Sequence, residues 1–271
     1  MVTRMTTEAV EAIRIIHGHF RTVLDGLAAG DWEQPSACAG WSVKDVLAHI
    51  TSNQKEFVDP TPAPADPPPE MTAEQAMEAL VAPRKDWSAA DLVAEYERYT
   101  EPWFGALDFM QQEPQRNAPT PLADLGTYPL HTVANAFAFD HYCHLRVDLQ
   151  QPTGPLTVDL AEPTDAEVRP GIEWMLLGIP QMQPVELPPV VTQPLGLRFT
   201  GPGGGEWTLF PAAGSGLLTV ADGIGDVAAT VESSAHDFVR WGTKRCDWRE
   251  CCTLTGDESY AAQVLDTLNI V

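Results

Sequence analysis

The chain has 271 residues, 44% of them hydrophobic, with 38 acidic against 16 basic side chains and a formal net charge of −22. That length suits one large domain or two of ordinary size, with enough apolar residues for a real core. So acidic a surface repels nucleic acid and anionic lipid, which sets both aside as partners, but it does not forbid a dimer.

From the N-terminus, Met1–Glu8 leads into an amphipathic helix with charges throughout and no apolar signal core, so no secretory signal is expected. No run approaches the roughly 18–20 apolar residues that span a bilayer, and the expected location is the cytoplasm. Residues 6–28 read as one helix, with Val10, Ile13, Ile16, Phe20, Val23 and Leu27 on one side. A loop with Pro35 and Gly40 follows. Ser42 then caps a second helix that runs to about Val58, with Asp45 three residues on completing a capping-box pattern. The prolines between 59 and 70 predict a stiff, exposed connector. A short helix is expected at 73–81. Another runs from Ser88 to Phe109 with Leu92, Tyr96, Tyr99, Trp103, Leu107 and Met110 as its stripe, kinked or broken by Pro102. Residues 113–129 read as a proline-rich loop and 130–149 as a last long helix. The first 150 residues therefore predict a four-helix bundle without strands.

After Gln150 the texture changes. Short alternating runs at 156–160, 195–200, 206–210, 216–220, 228–232 and 252–255 read as strands. Helices are expected at 166–177, from Ser233–Ser234 to Gly242, and from Asp257 to Leu268. The glycine-rich run 201–205 lies between two strands and carries no Lys-Ser/Thr, so it reads as a hairpin turn and not a phosphate loop. The fold class expected is an N-terminal helical bundle (1–150) followed by a small α+β domain (151–271). The five cysteines, Cys38, Cys143, Cys246, Cys251 and Cys252, show no paired spacing and read as buried free thiols.

The chemistry concentrates in the fourth long helix. At about 100° per residue, Val133, Phe137, Asp140, His144 and Val147 fall within an arc of roughly 80° that should face the core. A carboxylate and an imidazole one turn apart on an inward stripe either pair with each other or share a cation, because both are metal ligands. His49 lies at the edge of the stripe Val43, Val46, Leu47, Ile50 on the second helix and can supply a third ligand. Three protein ligands with positions left open is the pattern of a catalytic metal site. Asp148, four residues beyond His144, is placed to hold the second ring nitrogen of that histidine or to sit solvated at the helix end. His17 and His19 point different ways on their helix. By the same angular count His131 lies opposite Asp140, and His141 about 100° from it as a rim residue. His236 belongs to the other domain.

The segment Cys38-Ala39-Gly40-Trp41-Ser42-Val43-Lys44-Asp45-Val46-Leu47-Ala48-His49-Ile50 resembles the GW(S/T)xxDxxAH signature of mycothiol-dependent maleylpyruvate isomerase-like proteins, within the wider DinB/YfiT-like metal-binding bundles. The Asp140–His144 segment resembles the second signature of that group. The stretch Phe238–Gly242 with Gly256-Asp257 is similar to the sterol-carrier-like α+β domain that follows such bundles. The resemblance implies a divalent metal, usually zinc, held by His49, Asp140 and His144, and mycothiol as thiol cofactor in an actinobacterial source. Ala and Pro abundance with only four lysines fits a high-GC source. It implies an isomerase or S-transferase acting on a small anionic or electrophilic substrate. The carboxylate of the characterised family isomerase is Glu, one methylene longer than Asp140. Arg245, beyond Trp241-Gly242, is the candidate to reach the interdomain cleft and bind a carboxylate of substrate or thiol, against the reading of a plain surface arginine. The competing functional expectation is a non-catalytic, metal-containing protein that binds an apolar small molecule in the sterol-carrier-like half. A third is a stress-linked bundle whose metal site is lost.

Overall fold

Two compact units divide the chain, Met1–Ala161 and Glu162–Val271. The computed structural model describes residues 6–62, 71–212, 214 and 216–270. The first unit contains helices α1 (Thr6–Gly26), α2 (Val43–Val58), α3 (Ala73–Val81), α4 (Ala89–Met110) and α5 (Val133–Cys143), with a strand pair β1 (Pro119–Pro121) and β2 (Thr127–Pro129) between the last two. A π-helical turn, His144–Leu149, continues α5.

The apolar stripes do what their spacing predicts, except that α1 stops at Gly26 and leaves Leu27 beyond its end, only half-buried. Val10, Ile13, Ile16, Phe20 and Val23 of α1 are buried, as are Leu92, Tyr96, Tyr99, Trp103, Leu107 and Met110 of α4. One core cluster joins Ala9 and Ile13 of α1 to Trp103 and Leu107 of α4 and to Val133 and Ala138 of α5. Burying each large apolar side chain of this kind stabilises by about 1.5–3 kcal/mol. Helix α2 packs on α4 and α3, and α1 packs on α5 and α4, which makes α1, α2, α4 and α5 the four-helix bundle.

The entry to α2 is tightly specified. Gly40 adopts φ +83°, a conformation that favours glycine, in the turn closed by the Trp41 N–H donating to Cys38 O at 3.1 Å. Ser42 and Asp45 then form the capping box: the Ser42 hydroxyl accepts from Asp45 N–H at 3.2 Å and the Asp45 carboxylate accepts from Ser42 N–H at 2.9 Å.

Several local expectations change. Helix α4 runs unbroken through Pro102, because Tyr99, Thr100, Trp103 and Phe104 on both sides of it are buried and hold the turn together. The stretch 113–129 is no plain loop: Pro119–Pro121 pairs antiparallel with Thr127–Pro129, a ribbon too short and proline-rich to show as alternation. Residues 156–160 form no strand. An isolated bridge from Gln150 to Leu156 and a hydrogen bond from Arg146 Nη2 to Ala161 O tie this segment to the bundle, so the first unit extends to Ala161. Of the proline connector expected at 59–70, residues 63–70 lie outside the described residues. The cysteines are free thiols, but only Cys143 is fully buried, and Cys246 Sγ lies 3.9 Å from Cys251 Sγ. Among the described residues, no helix is long and apolar enough to cross a membrane.

The second unit is α+β. Helix α6 (Asp165–Met182) precedes strands β3 (Leu195–Thr200), β4 (Gly205–Phe210), β5 (Thr219–Asp222) and β6 (Ala229–Ser234). Helix α7 (Ala235–Gly242), strand β7 (Thr253–Gly256) and helix α8 (Glu258–Thr267) complete it. The sheet order is β5-β4-β3-β6-β7, antiparallel except for the central β3–β6 pair. The glycine-rich run is the β3–β4 hairpin turn, with Gly201 and Gly203 at positive φ. Helices α7 and α8 cover the sheet, with Phe238 stacked on Phe199 at 4.2 Å between ring centroids.

Replacing Ser42 by alanine removes the cap of α2 and is expected to cost about 1 kcal/mol of stability, read as a lower urea midpoint with an unchanged slope.

Candidate metal centre

Helix α2 places His49 in the bundle interior, 3% exposed, within the buried run Val46–Gln54. Helix α5 carries Asp140, and His144 follows as the first residue of the π turn. The structure brings these three side chains together. His49 Nε2 lies 3.2 Å from Asp140 Oδ1 and 3.1 Å from Oδ2. His144 Nε2 lies 3.3 Å from Asp140 Oδ1. The Asp140 side chain keeps 28% of its surface, so the group is buried on the helix side and open on the other.

Each histidine is held differently. His144 Nδ1–H donates to Asp148 Oδ2 at 2.8 Å, and Asp148 is wholly buried. That bond sets the ring orientation and points Nε2 at Asp140. The π turn brings Asp148 behind His144, as the i,i+4 spacing suggested. His49 is packed instead. Its Nδ1 is buried without a hydrogen-bond partner, and Asn53 Nδ2 stands 3.4 Å from its Nε2. The Trp41 ring covers both, with centroids 5.1 Å from His49 and 6.0 Å from His144, and its indole N–H donates to Glu78 Oε2 of α3 at 2.8 Å. Trp41 thus walls the site. The sequence marks Trp41 only as part of a motif, and nothing in its spacing shows which ring it faces.

The electrostatics follow from the placement. Burial raises the Asp140 carboxyl, but His49 and His144 outweigh it and hold it well below the usual carboxylate range. Burial also disfavours a charged His144, yet Asp140 and Asp148 push its pKa up to about 9. The metal-free centre is therefore an imidazolium held between two carboxylates.

These residues fit a cation. The ligand atoms of His49, Asp140 and His144 all lie within 4.8 Å of one another. Two ligands of one ion with bonds of about 2.1 Å stand about 3–3.5 Å apart, which the 3.1 and 3.3 Å separations already match. Two imidazoles and one carboxylate leave positions for exogenous donors. A second grouping, Cys38 with His144 and Asp148, is equally compact. There, however, the His144 nitrogen facing Asp148 is already engaged with it.

The remaining histidines divide. His131 Nδ1 sits 2.8 Å from Arg116 O, away from the centre. His236 lies on α7 in the other unit. His141 is not a rim residue: it is 0% exposed and its Nδ1 lies 2.9 Å from His17 Nε2. The wheel misplaced it because α5 contacts α1 on one face and carries Asp140 on the next, so two neighbouring faces are buried. Burial holds His17 well below the usual imidazole range, and it lowers His141 to about 3, so both rings are neutral. Arg245 lies in the second unit in the turn after α7, its N–H donating to Arg240 O at 2.8 Å.

Two outcomes follow from the His144 proton. In metal-free protein the charged ring adds stability that is full below its ordinary value of 6.5 and fades as pH rises through about 9. A metal needs the neutral ring, so apparent zinc affinity is expected to rise about tenfold per pH unit up to that value and level off above it. Chelator competition across pH measures this. Asp148→Asn should shrink the pH dependence and weaken zinc about 10–100-fold.

Two solved structures are similar to the chain: a mycothiol-dependent maleylpyruvate isomerase and a His-to-Ala variant of it. Each matches with a TM-score of 0.57 at 16% identity over 92% of both chains, a likeness of fold. No curated protein matches the chain. The family model described as the mycothiol maleylpyruvate isomerase N-terminal domain matches residues 13–150, just over half of the chain and including all of His49, Asp140, His144 and Asp148. The protein is therefore a member of the mycothiol maleylpyruvate isomerase N-terminal domain family.

Proposed function

We propose that this protein is a metal-dependent enzyme that uses a low-molecular-weight thiol, mycothiol, for isomerisation or S-transfer on a small anionic or electrophilic substrate. The observation that carries the reading is the convergence of His49, Asp140 and His144 on one point, with the rear nitrogen of His144 tied to Asp148. Family membership and the shared fold support the thiol and the reaction class. Zinc is the proposed metal, and the same donor set also accepts nickel, manganese or iron.

When bound, the metal and thiol supply a nucleophile that is a thiolate at neutral pH, able to add to an activated double bond or displace a leaving group. The protein's own groups do the positioning. His49 and His144 present Nε2 from two different helices, so the distance between them depends on bundle packing and not on one flexible segment. Asp148 keeps the His144 proton at Nδ1 and leaves Nε2 free to bind. Trp41 offers an apolar wall beside both imidazoles, suited to the body of a thiol or substrate. Arg245 is proposed as the residue that binds a carboxylate of substrate or thiol.

Metal analysis of untagged protein tests this first. Wild type is expected to carry near one equivalent of a divalent ion, and His144→Ala and His49→Ala to lose it together with any thiol-dependent turnover. Absence of metal from wild type, even after zinc is added, would sink the ligand assignment.

A further inference from the structure

Three buried polar side chains form a line that ends at Asp140. Tyr96 Oη of α4 lies 2.7 Å from His17 Nδ1 of α1, and His17 Nε2 lies 2.9 Å from His141 Nδ1 of α5. His141 Nε2 then lies 3.7 Å from Asp140 Oδ2. All three residues are 3% exposed or less.

The protons in this line follow by elimination. The Tyr96 hydroxyl has His17 Nδ1 at 2.7 Å, with His17 O at 3.5 Å and the Thr100 hydroxyl as further partners, and only donation to His17 Nδ1 ends the line in an N–H and not a lone pair against Asp140. A neutral His17 that accepts at Nδ1 carries its hydrogen on Nε2 and donates it to His141 Nδ1. His141 then carries its own hydrogen on Nε2. That atom is buried with no hydrogen-bond partner, and Asp140 Oδ2 is the carboxylate oxygen it faces. The opposite order would set a bare nitrogen lone pair against the carboxylate.

The two Asp140 oxygens thereby acquire different surroundings. His49 Nε2 is shared between them, 3.2 Å from Oδ1 and 3.1 Å from Oδ2, but His144 Nε2 stands 3.3 Å from Oδ1 and His141 Nε2 stands 3.7 Å from Oδ2. We propose that His141, its tautomer set by Tyr96 and His17, is a positioning residue that engages Oδ2 and presents Asp140 to the cation through Oδ1 alone. This rests on the metal-centre reading above. A carboxylate that binds through one oxygen leaves a coordination position open for an exogenous donor.

The test uses full-length protein, with zinc affinity from chelator competition and the visible spectrum of the cobalt(II) form as readouts. His141→Phe is expected to weaken zinc about 10–100-fold and to change the cobalt bands as the carboxylate turns to bind through both oxygens. His141→Gln keeps an N–H donor and should recover most of the affinity and the wild-type spectrum. Equal losses in Phe and Gln variants, or no loss in either, would overturn the positioning role. Where neither variant folds, ring ¹⁵N spectra of the wild type decide. The proposal requires hydrogen on Nε2 of both His17 and His141, and an Nδ1–H tautomer at His141 refutes it. Wild type that binds no zinc overturns the metal centre and this proposal together. Zinc lost in His144→Ala but unchanged in His141→Phe overturns this proposal alone.

Discussion

A carboxylate that has lost most of its water must be neutralised or surrounded by donors, and the centre of the first unit is organised around that requirement at Asp140. Left unpaired, such a charge costs several kcal/mol. Three imidazoles surround it, those of His49 and His144 within 3.3 Å and that of His141 at 3.7 Å. Each long helix of the bundle contributes to this layer: His17 from α1, His49 from α2, Tyr96 from α4, and Asp140 with His141 from α5. A slip of register in any one helix would strand a buried polar group at roughly 1–3 kcal/mol each. The polar layer thus constrains the same bundle whose apolar stripes supply its stability.

The histidines of this layer divide by what faces them. His144 stands between two carboxylates and is held charged in the metal-free protein. His17 and His141 meet a phenol and each other, and desolvation keeps them neutral. One residue type therefore serves as a proton-carrying ligand position and as a neutral hydrogen-bond relay within one layer. The division comes from which helix each side chain leaves and at what angle, not from sequence neighbourhood, since His141 adjoins Asp140 in the chain.

Much of the architecture was legible in the chain. Apolar spacing marked α1, α2 and α4, Ser42 with Asp45 marked the start of α2, and alternation marked β3, β4 and β6. The meeting of His49, Asp140 and His144 was legible because a carboxylate and an imidazole sat on an inward stripe opposite a second inward helix. What was not legible came from tertiary packing. A wheel assigns one buried face, so it put His141 on the rim, whereas α5 is enclosed on two. Pro102 carries a local penalty that the surrounding aromatic packing overrides. The ribbon Pro119–Pro121 with Thr127–Pro129 is three residues a side, too short for a period of two to register. Trp41 and Cys38 owe their places beside His144 to the turn at Gly40, whose direction no pattern of side chains encodes.

The π turn that begins at His144 carries a consequence of a different kind. A helix that bonds i to i+5 holds an extra residue per turn compared with one that bonds i to i+4. Deleting Arg146, the one residue of His144–Leu149 that is not buried, would restore ordinary helical geometry without removing a side chain of the core. Backbone bonding would survive, but Asp148 or its replacement would rotate away from the His144 ring. Over evolutionary time this segment should therefore tolerate substitution better than change of length. Among descendants of this chain, a one-residue gap there would mark lineages that have abandoned the centre, even where every histidine is kept.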